Sequence, residues 1–178
     1  MNHLSIKEIT RIGLFTAVTI VISQFSIPMP YGVPMTLQTF IIPLVAILLG
    51  KKEGTLVSVI YVLLGLIGLP VFAGFSGGLA IVLGPTGGFI ISFPIMAYLA
   101  GMAKESTRFS TSMFWLLMSA CANYIVGMFY FSFVTSSSLT VAFTACVLPF
   151  IPTAIIKIIL IYFVAKKLSP LVLKRVAI

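Results

Sequence analysis

"LTVAFTACVLPFIPTAIIKIILIYFVAKK", residues 139–167, is a long apolar run closed by two lysines and interrupted by a third. A membrane-spanning helix needs roughly 20 predominantly apolar residues, so the stretch up to Ala165 reads as a transmembrane helix. Pro149 and Pro152 predict a kink within it, because each removes a backbone donor and clashes with the carbonyl one turn back.

The rest of the chain agrees with that reading. Of 178 residues, 60% are hydrophobic and 8% charged, and the mean hydropathy is +1.22. Soluble domains carry about 25% charged residues. Further apolar runs fall at 12–27, 35–50, 54–73, 85–103 and 113–134. The expected fold is therefore all-α, a polytopic membrane protein of six transmembrane helices forming a single domain over 1–178. The run at 35–50 is short and contains Pro43, so it is expected to need neighbouring helices to cross the bilayer or to enter it at less than full depth.

Charge orients the helices. Lys7 and Arg11 precede the first run, Lys51 and Lys52 separate the second from the third, Lys104 and Arg108 separate the fourth from the fifth, and Lys166, Lys167, Lys174 and Arg175 follow the last. The other three connections carry no charge. Short basic loops stay on the cytoplasmic side, which predicts both termini inside and a multi-pass protein of the cell membrane. The net charge of +8 thus flanks a lipid bilayer and does not form the clustered soluble face that nucleic-acid binding requires.

Other functional classes find little support. "IKEITR" leads straight into the first run without a small-residue cleavage site, so the first span is expected to be uncleaved and the mature chain to start near Met1. Cys121 and Cys146 lie inside apolar runs and read as packing residues. There is no Walker A sequence, metal-ligand cluster or Ser/His/Asp set, and His3 lies outside the spans. No enzyme, cofactor or metal site is expected.

Lys157 breaks the charge pattern. It lies nine residues before Lys166, about 13 to 14 Å along a helix and so near the bilayer centre. A lysine stem reaches only about 6 Å, which makes snorkelling to the headgroups poor from that depth. The chain has no aspartate, and Glu8, Glu53 and Glu105 all flank the cytoplasmic side. The expected partner of Lys157 is therefore a small anionic or strongly hydrogen-bonding solute. Thr153 and Ala154 share its helix face. Gln24, Gln38 and Asn123 are the amide side chains of the spans, each an interhelical hydrogen bond or a ligand contact, the first being the commoner use.

"AGFSGGLAIVLGPTGGF", residues 73–89, is the second anomaly. Irregular backbone at membrane depth is tolerated where protein covers it or where it lines a cavity, and glycine lets such backbone approach a solute closely. Pro85 is positioned for the first turn of the fourth helix, whose amide groups would favour a carbonyl or carboxylate.

Together with "VPMTLQTF" (33–40), "GLIGLPVFAGFSGGLAIVLGPTGGF" (65–89) and "PFIPTAIIK" (149–157), these features resemble BioY, the biotin-binding S components of energy-coupling-factor (ECF) vitamin transporters. The resemblance spans essentially the whole chain. It implies a six-helix membrane fold holding biotin in its outer half, under the loop after the first helix and the glycine-rich loop. It also implies partners: a transmembrane coupling subunit and two ATPase subunits, docked through a small-xxx-small pattern that Gly13 and Ala17 match. Close packing inside the monomer would use the same pattern.

The residue reading and the resemblance together make Lys157, Ser76, Gln38, Gly74, Thr86, Gly88, Thr153 and Asn123 the candidate substrate contacts. Departures from the family accompany them. Ala154 stands where an aspartate is usual, Ser76 where some members have asparagine, and Phe89 and Ile90 where some have tyrosine and arginine. Ser76, Thr153 or Asn123 would then supply the hydrogen bonds of a missing carboxylate. The rival expectations are an S component for a related carboxylate such as lipoate or dethiobiotin, and a self-sufficient secondary transporter.

Overall fold

Ser5 starts the first helix with a capping box. Its hydroxyl accepts from the Glu8 amide, and the Glu8 carboxylate accepts from the Ser5 amide at 2.7 Å. The computed structural model describes residues 5–105 and 108–175, with side chains up to Pro170. His3 and the side chains of Lys174 and Arg175 lie outside the described residues. Helix α1 (Ile6–Ser23) buries Ile12, Thr16, Thr19 and Ser23 along one stripe. The hydroxyls of Thr16 and Thr19 donate back to the carbonyls of Ile12 and Phe15, so that polar stripe packs without losing most of its hydrogen bonds.

A short antiparallel hairpin follows, β1 (Ser26–Ile27) against β2 (Met35–Thr36), with a 3₁₀ turn at Pro30–Gly32. Helix α2 (Gln38–Leu49) is next. At 1.5 Å per residue its 12 residues span only about 18 Å, well short of a bilayer core of about 30 Å. It lies at the centre of the molecule, against α1 and four later helices, and every residue from Ile41 to Leu49 is buried. The helix runs through Pro43 without interruption, and its shortness is made good by the neighbours that enclose it.

Gly50, at φ 92°, reverses the chain into α3 (Lys51–Leu66), a left-handed conformation that only glycine adopts without strain. Residues 67–78 are irregular. Helices α4 (Leu79–Leu83), α5 (Gly87–Ile91), α6 (Phe93–Met102), α7 (Phe109–Val134), α8 (Leu139–Cys146) and α9 (Ile151–Arg175) complete the order. The all-α architecture holds, but the six apolar runs become nine helical segments among the described residues. Pro94 has no amide to bond to the carbonyl one turn back, and the fourth run divides between α5 and α6. Pro149 and Pro152 act more strongly than a kink would: α8 ends at Cys146, a 3₁₀ turn covers Leu148–Phe150, and α9 begins anew.

The lateral surface is apolar. The helical stretches Phe109–Val134 and Leu139–Pro170 are each long and apolar enough to cross a membrane, with only 28% and 17% of their most apolar windows buried. A core helix of a soluble protein would be mostly buried. On α9, Ile155, Ile156, Ile159 and Phe163 all face outward.

The charged groups gather at one end of the bundle. Arg11 of α1 forms an ion pair with Glu53 of α3. Lys51 pairs with Glu105 at 2.9 Å, and Lys104 donates to the Leu49 carbonyl at the end of α2, also at 2.9 Å. The bond to Glu105 raises the pKa of Lys51, whereas partial burial lowers that of Lys104. The hairpin and residues 67–78 and 135–138 connect the helices at the opposite end.

Candidate functional site

The hairpin end encloses a cavity of about 650 Å³, counting its open mouth. Its wall is drawn from the whole length of the chain: Thr36 to Thr39, the loop at Phe72 to Ser76, α5, α7 and α9. Most of the lining is apolar, with Phe72, Phe89, Phe93 and Phe150 surrounding a few polar groups. That is the usual composition of a site for a small solute with polar ends and an apolar body.

Lys157 projects into this cavity from α9. Its ammonium donates to the Thr36 carbonyl at 2.7 Å and to the Thr39 hydroxyl at 2.9 Å. Both acceptors are neutral. The three glutamates of the chain are committed elsewhere: Glu8 to the cap of α1, Glu53 to Arg11 and Glu105 to Lys51. The positive charge of Lys157 thus meets no carboxylate among the described residues.

Two amides are held by protein bonds. Gln38 donates to the Tyr61 hydroxyl at 2.7 Å, and Tyr61 packs edge-on against Phe72, with ring centroids 5.7 Å apart. Asn123 donates both amide hydrogens, to the Phe89 carbonyl at 3.0 Å and to the Ser92 hydroxyl at 2.8 Å. Each therefore serves as an interhelical bond and also lines the cavity.

The fold brings Lys157, Ser76, Gln38, Thr86 and Asn123 to this one wall. Three of the sequence-derived candidates lie elsewhere. Gly88 is pressed against α7, where an added Cβ would come within 2.3 Å of Tyr130 Cβ, so helix packing accounts for that glycine. Gly74 takes φ 69° and donates to the Gln24 carbonyl, tying the irregular loop to the end of α1. Thr153 spends its hydroxyl on the Phe150 carbonyl and lines a separate groove, on the far side of Lys157, with Phe25 and Ile156. Helix α5 begins at Gly87, with Thr86 at its cap, and has five residues. Pro85 therefore precedes the helix and does not form its first turn.

Gly13 and Ala17 are exposed on α1, opposite its buried stripe, and nothing lies within 4 Å of a Cβ added at Gly13. Packing inside the monomer does not use this pair.

Several lining residues escaped sequence reading. Thr36 and Thr39 carry the Lys157 contacts, and Tyr124 flanks Asn123 in the cavity wall. The available signal was the polar pattern of "MTLQT" (35–39) in an otherwise apolar run. Gln24 was visible as an amide but not as the anchor of the loop: it donates to the Val71 carbonyl at 3.0 Å and accepts from the Phe75 amide at 2.8 Å.

Comparisons with known proteins agree over nearly the full length. The BioY family model matches residues 1–174. The probable biotin transporter BioY of Pyrococcus horikoshii is 42% identical over 164 residues, covering 92% of this chain and 96% of its own. The biotin transporter BioY of Thermotoga maritima is 37% identical over 173 residues, covering 95% and 99%. Among solved structures, the S-component for biotin from an ECF-type ABC transporter superposes with a TM-score of 0.85 at 31% identity, covering 93% of this chain and 92% of that one. With sequence and fold in agreement end to end, this chain belongs to the BioY family.

Proposed function

We propose that this protein is the substrate-capturing S component of an ECF-type vitamin transporter. It binds biotin from the external side and delivers it inward when a transmembrane coupling subunit and two ATPase subunits engage. In this reading it crosses the cell membrane six times as one domain: α1, α2, α3, the α5–α6 pair, α7 and the α8–α9 pair. Both termini are cytoplasmic. The gathering of Arg11, Lys51 and Lys104 at one end of the bundle supports that orientation, because short basic loops remain on the cytoplasmic side.

One observation carries the assignment. Lys157 offers a positive charge and a spare donor to a cavity with no carboxylate on its wall, beneath the hairpin and the glycine-rich loop. A ligand with a hydrogen-bonding head, an apolar ring and tail, and an anionic end matches that lining, and biotin has this form. Membership of the BioY family and the names of the relatives supply the substrate class. The hairpin and residues 73–84 act as gates, ordered when the vitamin is bound.

The test is uptake of labelled biotin by vesicles containing the protein with and without an ECF module. ATP-dependent accumulation that needs the module is the expected result. Accumulation without any ATPase would point instead to a self-sufficient transporter. Competition by lipoate or dethiobiotin at concentrations equal to biotin would move the assignment to a related carboxylate, a reading that Ala154 motivates by leaving the site without an acidic acceptor.

A further inference from the structure

A count of donors and acceptors around Lys157 takes the site beyond substrate class. An ammonium has three donors. Two are spent on Thr36 and Thr39, leaving one for a ligand. The hydroxyls of Ser76 and Thr86 are directed to the backbone carbonyls of Ala73 and Ile81.

Their oxygens still have lone pairs, but only on groups that are free to rotate, whereas the Asn123 amide is fixed by its own two donations. Its contact with the Phe89 carbonyl at 3.0 Å requires the amide nitrogen on that side, because a carbonyl only accepts, and the second hydrogen goes to Ser92. The amide orientation is thereby set, and its oxygen has no hydrogen-bond partner among the described residues. Ser58 carries a sealed hydroxyl without a partner among the described residues. The Asn123 oxygen is not sealed in this way, since Asn123 lines the main cavity. It also lines a smaller pocket beneath, together with Lys157, Thr39, Tyr124 and Ala154.

Lys157 and Asn123, which line the same cavity and the same smaller pocket, thus leave one donor and one acceptor to a shared space. A cyclic urea has the complementary pair, a carbonyl that accepts and an adjacent N–H that donates. We infer that Asn123 is the specificity-determining acceptor of the site, receiving a ureido N–H while Lys157 donates to the ureido carbonyl. The inference rests on the biotin reading above. Ala154 is part of the reason: a methyl group lines the lower pocket at that position and offers no competing acceptor.

The experiment compares biotin with its two lactam analogues, each with one ureido N–H replaced by CH2, against the purified full chain in detergent. A neutral hydrogen bond has a net worth that corresponds to about a 3- to 10-fold change in affinity. Wild type should bind one analogue more weakly than biotin by that factor, and Asn123→Ala should bind biotin and that analogue equally. Asn123→Leu, closer in volume, serves as the second variant should the alanine variant not fold. Retention of the wild-type preference in a folded variant overturns the inference, as does equal binding of biotin and both analogues by wild type. Failure of wild type to bind biotin at all overturns the function on which it rests and is read directly in the same titration.

Discussion

The Lys157 ammonium lies 2.9 Å from the Thr39 hydroxyl, across 118 residues of chain, and joins α9 to the first turn of α2. This contact holds the cation at the cavity wall and ties a long, outward-facing helix to the most enclosed one. In the proposed function, binding and structure share this one side chain.

Replacing Lys157 by methionine keeps the stem and removes the charge. Hydrogen bonds involving charged groups contribute enough that biotin affinity should fall by about 10- to 100-fold. Thr39→Val should cost less, about 3- to 10-fold, because Thr36 still accepts from the lysine. Calorimetric titration of both variants checks this, and undiminished binding by Lys157→Met would remove the cation from the mechanism.

Ala154 lies three residues before Lys157 and lines the pocket beneath the cavity. Ala154→Asp introduces a carboxylate beside the ammonium and near the Asn123 oxygen. A charged acceptor forms stronger hydrogen bonds than a neutral one, so biotin should bind about 10-fold more tightly, as estimated from that difference. Weaker binding would mean that the new carboxylate captures Lys157 for itself.

Gln24 holds residues 71–75 to the end of α1 through both ends of its amide. In Gln24→Leu, amide exchange at Phe75 should accelerate and biotin should dissociate about 10-fold faster, as for the loss of one or two hydrogen bonds at a gate. Unchanged exchange together with an unchanged dissociation rate would count against gating by this loop.

Gly13 and Ala17 leave a shallow, exposed strip on α1, of the kind that permits close approach of a second helix. Gly13→Leu and Ala17→Leu should leave biotin binding in detergent unaltered while lowering ATP-driven uptake in reconstituted vesicles by about 10-fold, the scale of an overpacked contact. Parallel loss of both activities would assign the pair to folding of the S component and not to docking.

Much of this molecule is legible before any coordinates. Hydrophobic length is a local property, as is the grouping of basic residues, so the apolar runs, the all-α class and the isolation of Lys157 follow from reading along the chain. The glycine-rich block could be read as irregular backbone, but along the chain a plain loop with tight turns fitted it as well as a cavity wall.

Whether a proline bends a helix or ends it was not legible. Pro43 sits within an intact, buried α2, whereas Pro149 separates α8 from α9, and nothing local to either proline distinguishes the two. The division of glycines between packing and loop geometry, as at Gly88 and Gly74, was equally hidden.

The sequence by itself determined that one cation interrupts an apolar run in a chain with no aspartate and with its glutamates in the basic flanks, because charge and hydrophobicity are carried by each residue wherever it folds. Only the tertiary structure decided that Thr36 and Thr39 receive that cation and that the Asn123 amide hydrogens are spent on Phe89 and Ser92, with no partner for its oxygen among the described residues. Hydrogen bonds are directional and short, so which groups are spent and which stay available is known only once distant segments have met.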